Sequence, residues 1–168
     1  GQKVTIQPQV VCGQCYPCRH GKYNLCEDLK VMGFQTTGAA SHYFAVDAAK
    51  VTLLPQDMGH DEGAMIEPLA VAVHAVKQAG DVAGARIAVL GAGPIGILVA
   101  QAAKGVGARQ VMITDVSALR LEKAKECGVD FCVDTREKDF GEAMTESFGP
   151  DKADLIYDCA GNNITMGQ

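Results

Sequence analysis

The chain has 168 residues, 48% of them hydrophobic and 21% charged, which is the composition of an ordinary soluble domain long enough to bury a core. Its 15 Lys and Arg against 20 Asp and Glu leave a net charge of -5 with no basic block, which argues against nucleic acid or an anionic membrane surface as a partner. The longest apolar stretch, residues 87–100, is interrupted by Gly-Ala-Gly-Pro and is too short to span a bilayer.

No charged start followed by an apolar run and a small-residue cleavage site opens the chain, so a reducing, cytoplasmic setting is expected. The first residues are Gly-Gln-Lys-Val, without a methionine, and the sequence is read as a piece of something longer.

Residues 1 to about 54 are rich in Gly, Cys and turn residues. Short alternating segments at Lys3–Gln7 and Ser41–Val46 predict two brief strands. Between them lies C-x2-C-x2-C-x7-C, formed by Cys12, Cys15, Cys18 and Cys26. Four thiolates closing on one ion within a single loop suit tetrahedral zinc, and an all-cysteine shell leaves no open position, so the role is structural. An iron–sulfur cluster is the competitor, but the ferredoxin run continues x3-C-P, whereas here seven residues separate the last two cysteines and Glu27 follows. His20 lies inside the loop and is taken as solvated, since the shell is already full. Cys127, Cys132 and Cys159 stand singly among apolar neighbours and read as buried small hydrophobes.

From Asp61 the pattern turns helical, and a second helix runs from Pro68, in its first turn, to about Ala79, where Gly80 ends it. Ile66-Glu67-Pro68-Leu69 sets a carboxylate beside this apolar start. Either backbone N–H groups of the helix terminus satisfy Glu67, or it is a ligand or near-ligand of a second metal held mostly by residues outside the chain. His74, on the same helix, is left unassigned.

After Gly84 strand and helix alternate. Strands are predicted at Arg86–Leu90, Gln110–Thr114, Asp130–Val133 and Ala153–Asp158, and helices at Pro94–Gly105, Ser117–Cys127 and Asp139–Phe148. Apolar strands separated by helices of this length call for a parallel sheet covered on both faces.

The first turn of this region reads Gly91-Ala92-Gly93-Pro94-Ile95-Gly96, or G-x-G-x-x-G. Gly91 permits the tight turn, Gly93 lets backbone approach a pyrophosphate, and Gly96 lets helix and strand pack closely. Free N–H groups at the helix start then face the phosphates. An acid ends the next strand, Asp115, 24 positions after Gly91 where about 20 are expected. Its carboxylate can accept from ribose hydroxyls and would repel a 2′-phosphate, so NAD is favoured over NADP. The alternative is a helix cap for the segment starting near Ser117. Arg120 is either a ribose or adenine contact or a surface residue pairing with Glu122 or Glu126.

A four-cysteine loop, then Ile-Glu-Pro-Leu, then Val-Leu-Gly-Ala-Gly-Pro-Ile-Gly, in that order, resembles the zinc-dependent medium-chain dehydrogenases. The stretches at residues 63–75 and 111–125 look most like the polyol (sorbitol-type) branch, with threonine and sugar-phosphate dehydrogenases as close relatives. The resemblance implies an α/β fold: a small β/loop zinc-binding portion of a GroES-like catalytic domain at 1–56, connecting helices at 57–82, and the N-terminal part of an NAD-binding Rossmann domain at 83–168. It assigns Pro94, Ile95, Asp115 and Arg120, with the three glycines, to NAD, and places Glu67 at a catalytic zinc.

The family's other catalytic zinc ligands, a Cys and a His-Glu pair, precede the region present here, and the last strands of the dinucleotide sheet are also missing. The resemblance therefore implies an internal fragment, inactive alone. The whole protein would oxidise a secondary alcohol to a ketone with Zn2+ and NAD, as a homo-oligomer (dimer or tetramer). The reading from another class is a non-catalytic module that binds zinc and nucleotide.

Overall fold

A computed structural model describes residues 1–163 and 165–167, and the chain divides into two compact units, Gly1–Ala64 and Met65–Gln168.

The first unit is built from short pieces. β1 (Val4–Ile6) pairs antiparallel with β4 (Val51–Leu53), Thr5 opposite Thr52, and β2 (Gln9–Val10) pairs antiparallel with β3 (Lys30–Val31). The one-turn helix α1 (Tyr16–Arg19) lies between β2 and β3, and α2 (His60–Ala64) closes the unit. Lys3 ties the two ends together, its Nζ donating to the Met58 carbonyl at 2.8 Å. The expected strand at Ser41–Val46 does not form: the segment is irregular and Tyr43 is almost fully exposed. An alternating pattern becomes a strand only where a neighbour completes its ladder, and among the described residues this segment has none.

The second unit opens with α3 (Ile66–Gln78), which ends at Ala79 with Gly80 in the left-handed region at φ 83°. The predicted connecting helices thus fall one in each unit. Beyond α3 the chain alternates β5 (Arg86–Leu90), α4 (Pro94–Gly105), β6 (Gln110–Asp115), α5 (Ala118–Glu126), β7 (Phe131–Asp134), α6 (Phe140–Phe148) and β8 (Leu155–Asp158). The four strands are all parallel, in the order β7-β6-β5-β8. The chain winds outward from β5 to β7 and then returns to the other side of β5. Right-handed crossovers therefore put the returning helix on the opposite face from the earlier ones.

The packing follows. Ile87, Val89, Val111 and Ile113 point to one face, against α3, α4 and α5, while Ala88, Leu90 and Met112 meet Phe140, Met144 and Phe148 of α6 on the other. All seven strand residues are essentially inaccessible, which explains why β5 and β6 read as unbroken apolar runs rather than as alternations. The order corresponds to the first four strands of a doubly wound sheet.

At the end of the sheet opposite the carboxyl termini, Arg86 and Asp154 clamp β5 to β8. Nε and Nη2 of Arg86 reach the two carboxylate oxygens at 3.2 and 3.1 Å, and the Arg86 amide donates to Oδ2 at 2.8 Å. The guanidinium beside it holds the Asp154 carboxyl down at about 2.

Candidate functional site: a four-thiol loop and a glycine turn

The cysteine loop begins where β2 ends. Gly13 turns the chain in the left-handed region, φ 73°, and brings Cys15 to the start of α1. One helical turn then carries Cys18 inward, and a second turn at Tyr23–Leu25 returns Cys26. The four Sγ atoms all lie within 4.8 Å of one another. A tetrahedral zinc with Zn–S bonds of about 2.3 Å needs sulfurs about 3.8 Å apart, which a cluster of this size fits.

Backbone amides already point at these sulfurs: Cys15 donates to Cys12 Sγ at 3.4 Å and Cys12 to Cys26 Sγ at 3.3 Å. The amides of Gln14 and Cys15 pull the Cys12 thiol down to about 7. Burial, reinforced by the neighbouring thiols, pushes Cys18 up to about 12. A buried thiol of that kind ionises only with a cation beside it, and the donor set fits zinc. His20 stays outside, its ring stacked on Tyr16 and its Nδ1 2.8 Å from the Tyr16 carbonyl. Among the described residues no other group of three or more potential ligands gathers.

The glycine turn joins β5 to α4. Gly91 has φ 98°, a conformation costly for any residue with a β-carbon. Gly96 has an ordinary helical place but no room: a β-carbon there would stand 1.9 Å from the Gly91 carbonyl oxygen. Gly93 differs from both. Its φ of -72° suits any residue, and a β-carbon on it would meet nothing within 4 Å. Nothing among the described residues therefore requires glycine at 93. The open space lies at the N-terminus of α4, where Gly93 is the cap residue, no side chain caps the helix, and Pro94 and Ile95 form the first turn. First-turn N–H groups with no side-chain cap among the described residues, facing an open cradle, suit a pyrophosphate.

Asp115 ends β6 beside this turn with its side chain 7% exposed. Oδ2 accepts from the Ala92 amide at 2.8 Å, and Oδ1 from the amides of Val116 and Ser117 at 2.8 and 2.9 Å. Burial alone would raise its pKa, but these amides and Arg120 outweigh it and hold the carboxyl below its usual range. Asp115 thus fastens the glycine turn and the turn that leads into α5, whose N-cap residue is Ser117. Arg120 turns toward it, Nη1 3.7 Å from Oδ2, and pairs with neither Glu122 nor Glu126.

Glu67 lies exposed in the first turn of α3, and among the described residues it has no hydrogen-bond or ion-pair partner. Of the two readings of Glu67, satisfaction by the backbone amides of the helix terminus is not seen among the described residues. His74 meets Gln78 on the surface of α3. One feature escaped sequence reasoning. Asp158 ends β8 as Asp115 ends β6, and its carboxylate folds the following residues back toward Gly91. The Asp-Cys-Ala-Gly run after an apolar strand is an Asx-turn signal that could have found it.

Residues 1–56 match the alcohol dehydrogenase GroES-like domain, and residues 94–168 match the zinc-binding dehydrogenase domain. A sorbitol dehydrogenase of Bacillus subtilis is 35% identical over 99% of the chain and 47% of its own length. Among solved structures, a zinc-binding dehydrogenase of Sinorhizobium meliloti bound to NADP superposes with a TM-score of 0.92 at 33% identity, covering 99% of this chain and 49% of that one. An Escherichia coli alcohol dehydrogenase, RspB, in complex with NADH gives 0.86 at 36%, covering 96% and 48%. The chain spans about half the length of the relatives it matches. Cysteine loop, Ile-Glu-Pro-Leu helix, glycine turn and half of a doubly wound sheet, in that order and with these matches, mean that the chain belongs to the zinc-dependent medium-chain dehydrogenases, in their polyol branch.

Proposed function

We propose that the protein carrying this chain oxidises a secondary alcohol of the polyol class to a ketone, passing the hydride to NAD. The observation that carries the reading is the open cradle at Gly93, beside a buried and ionised Asp115, in a chain whose relatives include sorbitol dehydrogenases.

The chain's own residues do two things. The α4 terminus, with Gly93, Pro94 and Ile95, takes the pyrophosphate, and Gly91 and Gly96 hold that terminus against the sheet. Asp115 and Arg120 meet the adenosine ribose, where the carboxylate accepts from the hydroxyls and disfavours a 2′-phosphate; this favours NAD, although one of the structural neighbours holds NADP. A zinc held by Cys12, Cys15, Cys18 and Cys26 contributes folding free energy and has no position free for substrate.

Glu67 is read as the chain's contribution to a second, catalytic zinc, as ligand or through water. When bound, that ion supplies Lewis acidity to the substrate hydroxyl and lowers its pKa. One carboxylate cannot hold such an ion, which takes about three protein ligands, so residues 1–168 alone are proposed to be inactive. The whole protein is proposed to be a cytoplasmic homo-oligomer, with a small-molecule alcohol as its substrate.

The test is reduction of NAD and of NADP by the whole gene product with polyols, threonine and sugar-alcohol phosphates. Sorbitol-class turnover with NAD supports the reading. Preferential turnover of threonine or a phosphorylated alcohol moves the protein to a neighbouring branch, and zinc and nucleotide binding without turnover would make it a non-catalytic module.

A further inference from the structure

The glycine turn is gripped from both flanks. β5, which feeds the turn, lies between β6 and β8, and each neighbour ends in an aspartate whose carboxylate takes up backbone amides. Asp115 does so directly, through Ala92.

Asp158 does so at one remove. Its Oδ1 accepts from the amides of Ala160 and Gly161 at 3.0 and 2.8 Å, and the Thr165 hydroxyl lies 3.0 Å from Oδ2. Those two amides, with the hydroxyl, keep the carboxyl below its usual range. The chain is thereby folded back directly after the strand, and Ala160 comes to rest on Gly91. A β-carbon at Gly91 would lie 3.2 Å from both the Ala160 amide nitrogen and its Cβ. The β5–β8 seam is also where the strand order reverses, and ligands of open α/β sheets bind in the crevice at the carboxyl ends of such strands.

We propose that Asp158 is a positioning residue for the dinucleotide crevice: by tying down Ala160 and Gly161 it fixes the wall on which Gly91 turns, and so sets the turn for the pyrophosphate. The proposal rests on the reading of Gly91–Gly96 as a dinucleotide site. A bare Asx turn that only closes a loop would leave ligand affinity unchanged.

The test is the Kd of the protein for NADH and for ADP-ribose, which carries the pyrophosphate without the nicotinamide, measured by calorimetry in wild type, Asp158→Asn, Asp158→Ala and Asp158→Glu. Asn keeps a carbonyl oxygen at the same reach, so binding within about twofold of wild type is expected. Ala removes the acceptor and Glu moves it by one methylene, so both ligands should weaken roughly tenfold as pre-ordering is lost. If Asp158→Ala does not fold, the contrast between Glu and Asn decides alone. Equal affinity across the folded variants overturns the positioning role, as does an Asn variant as weak as the Glu variant. Failure of wild type to bind either ligand overturns the dinucleotide reading itself.

Discussion

A β-carbon at Gly96 would stand 1.9 Å from the carbonyl oxygen of Gly91, so the two glycines are one structural unit although five positions separate them. No relaxation of a side chain relieves that clash, because the obstacle is backbone. Gly96→Ala is therefore expected to lower stability by roughly 2–4 kcal/mol, as overpacking against a fixed group does. Gly93→Ala has open space around it and should leave stability within about 0.5 kcal/mol while weakening NADH binding on the order of tenfold. Chemical denaturation and NADH titration of the two variants separate the roles. Loss of stability without loss of binding at residue 93 would make Gly93 a mere turn residue.

Asp115→Ala removes the acceptor of three backbone amides at once. Left without partners in a largely buried place, these should cost about 2–3 kcal/mol of stability. Affinity for both dinucleotides should fall, NADH more than NADPH, since the variant loses ribose hydrogen bonds and also repulsion of the 2′-phosphate. An unchanged ratio of the two Kd values would leave Asp115 as a turn fastener only.

Much of this was legible in the chain. The strands at Arg86 and Gln110 and the helix at Pro94 are bounded by Gly91, Pro94 and Gly107, and the apolar residues of the two strands are buried on both faces, so local pattern and tertiary environment agree. Ser41–Val46 failed because a strand is defined by its neighbour, and alternation in one segment says nothing about whether that neighbour exists. The contact of the Asp158 turn with Gly91 was hidden for a related reason: it joins residues 67 positions apart, through a register that only the folded sheet sets. Glu67 was read either as satisfied by backbone amides or as a ligand of a second metal; it is exposed, because sequence shows an apolar neighbourhood and not which face of a helix is covered.

The Arg86–Asp154 clamp gives a pH signature. Asp154 is held at about 2, below the usual value of about 3.9. Depression of a carboxyl in the folded state adds stability that is fully present above the ordinary pKa and is lost as pH falls through the folded one. Asp154→Asn should therefore lower Tm at neutral pH, with the gap to wild type closing between about pH 4 and pH 2. A gap independent of pH would show that the clamp acts through shape rather than charge.

The four-thiol loop predicts about one tightly held zinc per chain. Cys15→Ser should reduce that content and loosen residues 12–26, seen as faster amide exchange, because the ion's binding free energy is part of the folding free energy. Stripping the wild-type protein with a chelator should have the same effect, and zinc should reverse it. Recovery of iron with labile sulfide in place of zinc would contradict the assignment.

The most direct test of polyol oxidation with Glu67 at the working zinc is kcat/KM for sorbitol and NAD, measured in the full-length protein, its Glu67→Ala variant and residues 1–168 alone. Turnover by the full-length protein, a fall of about a hundredfold or more in the variant, and none in the 168-residue chain are expected. Turnover by residues 1–168, or an unchanged kcat/KM in Glu67→Ala, would contradict it.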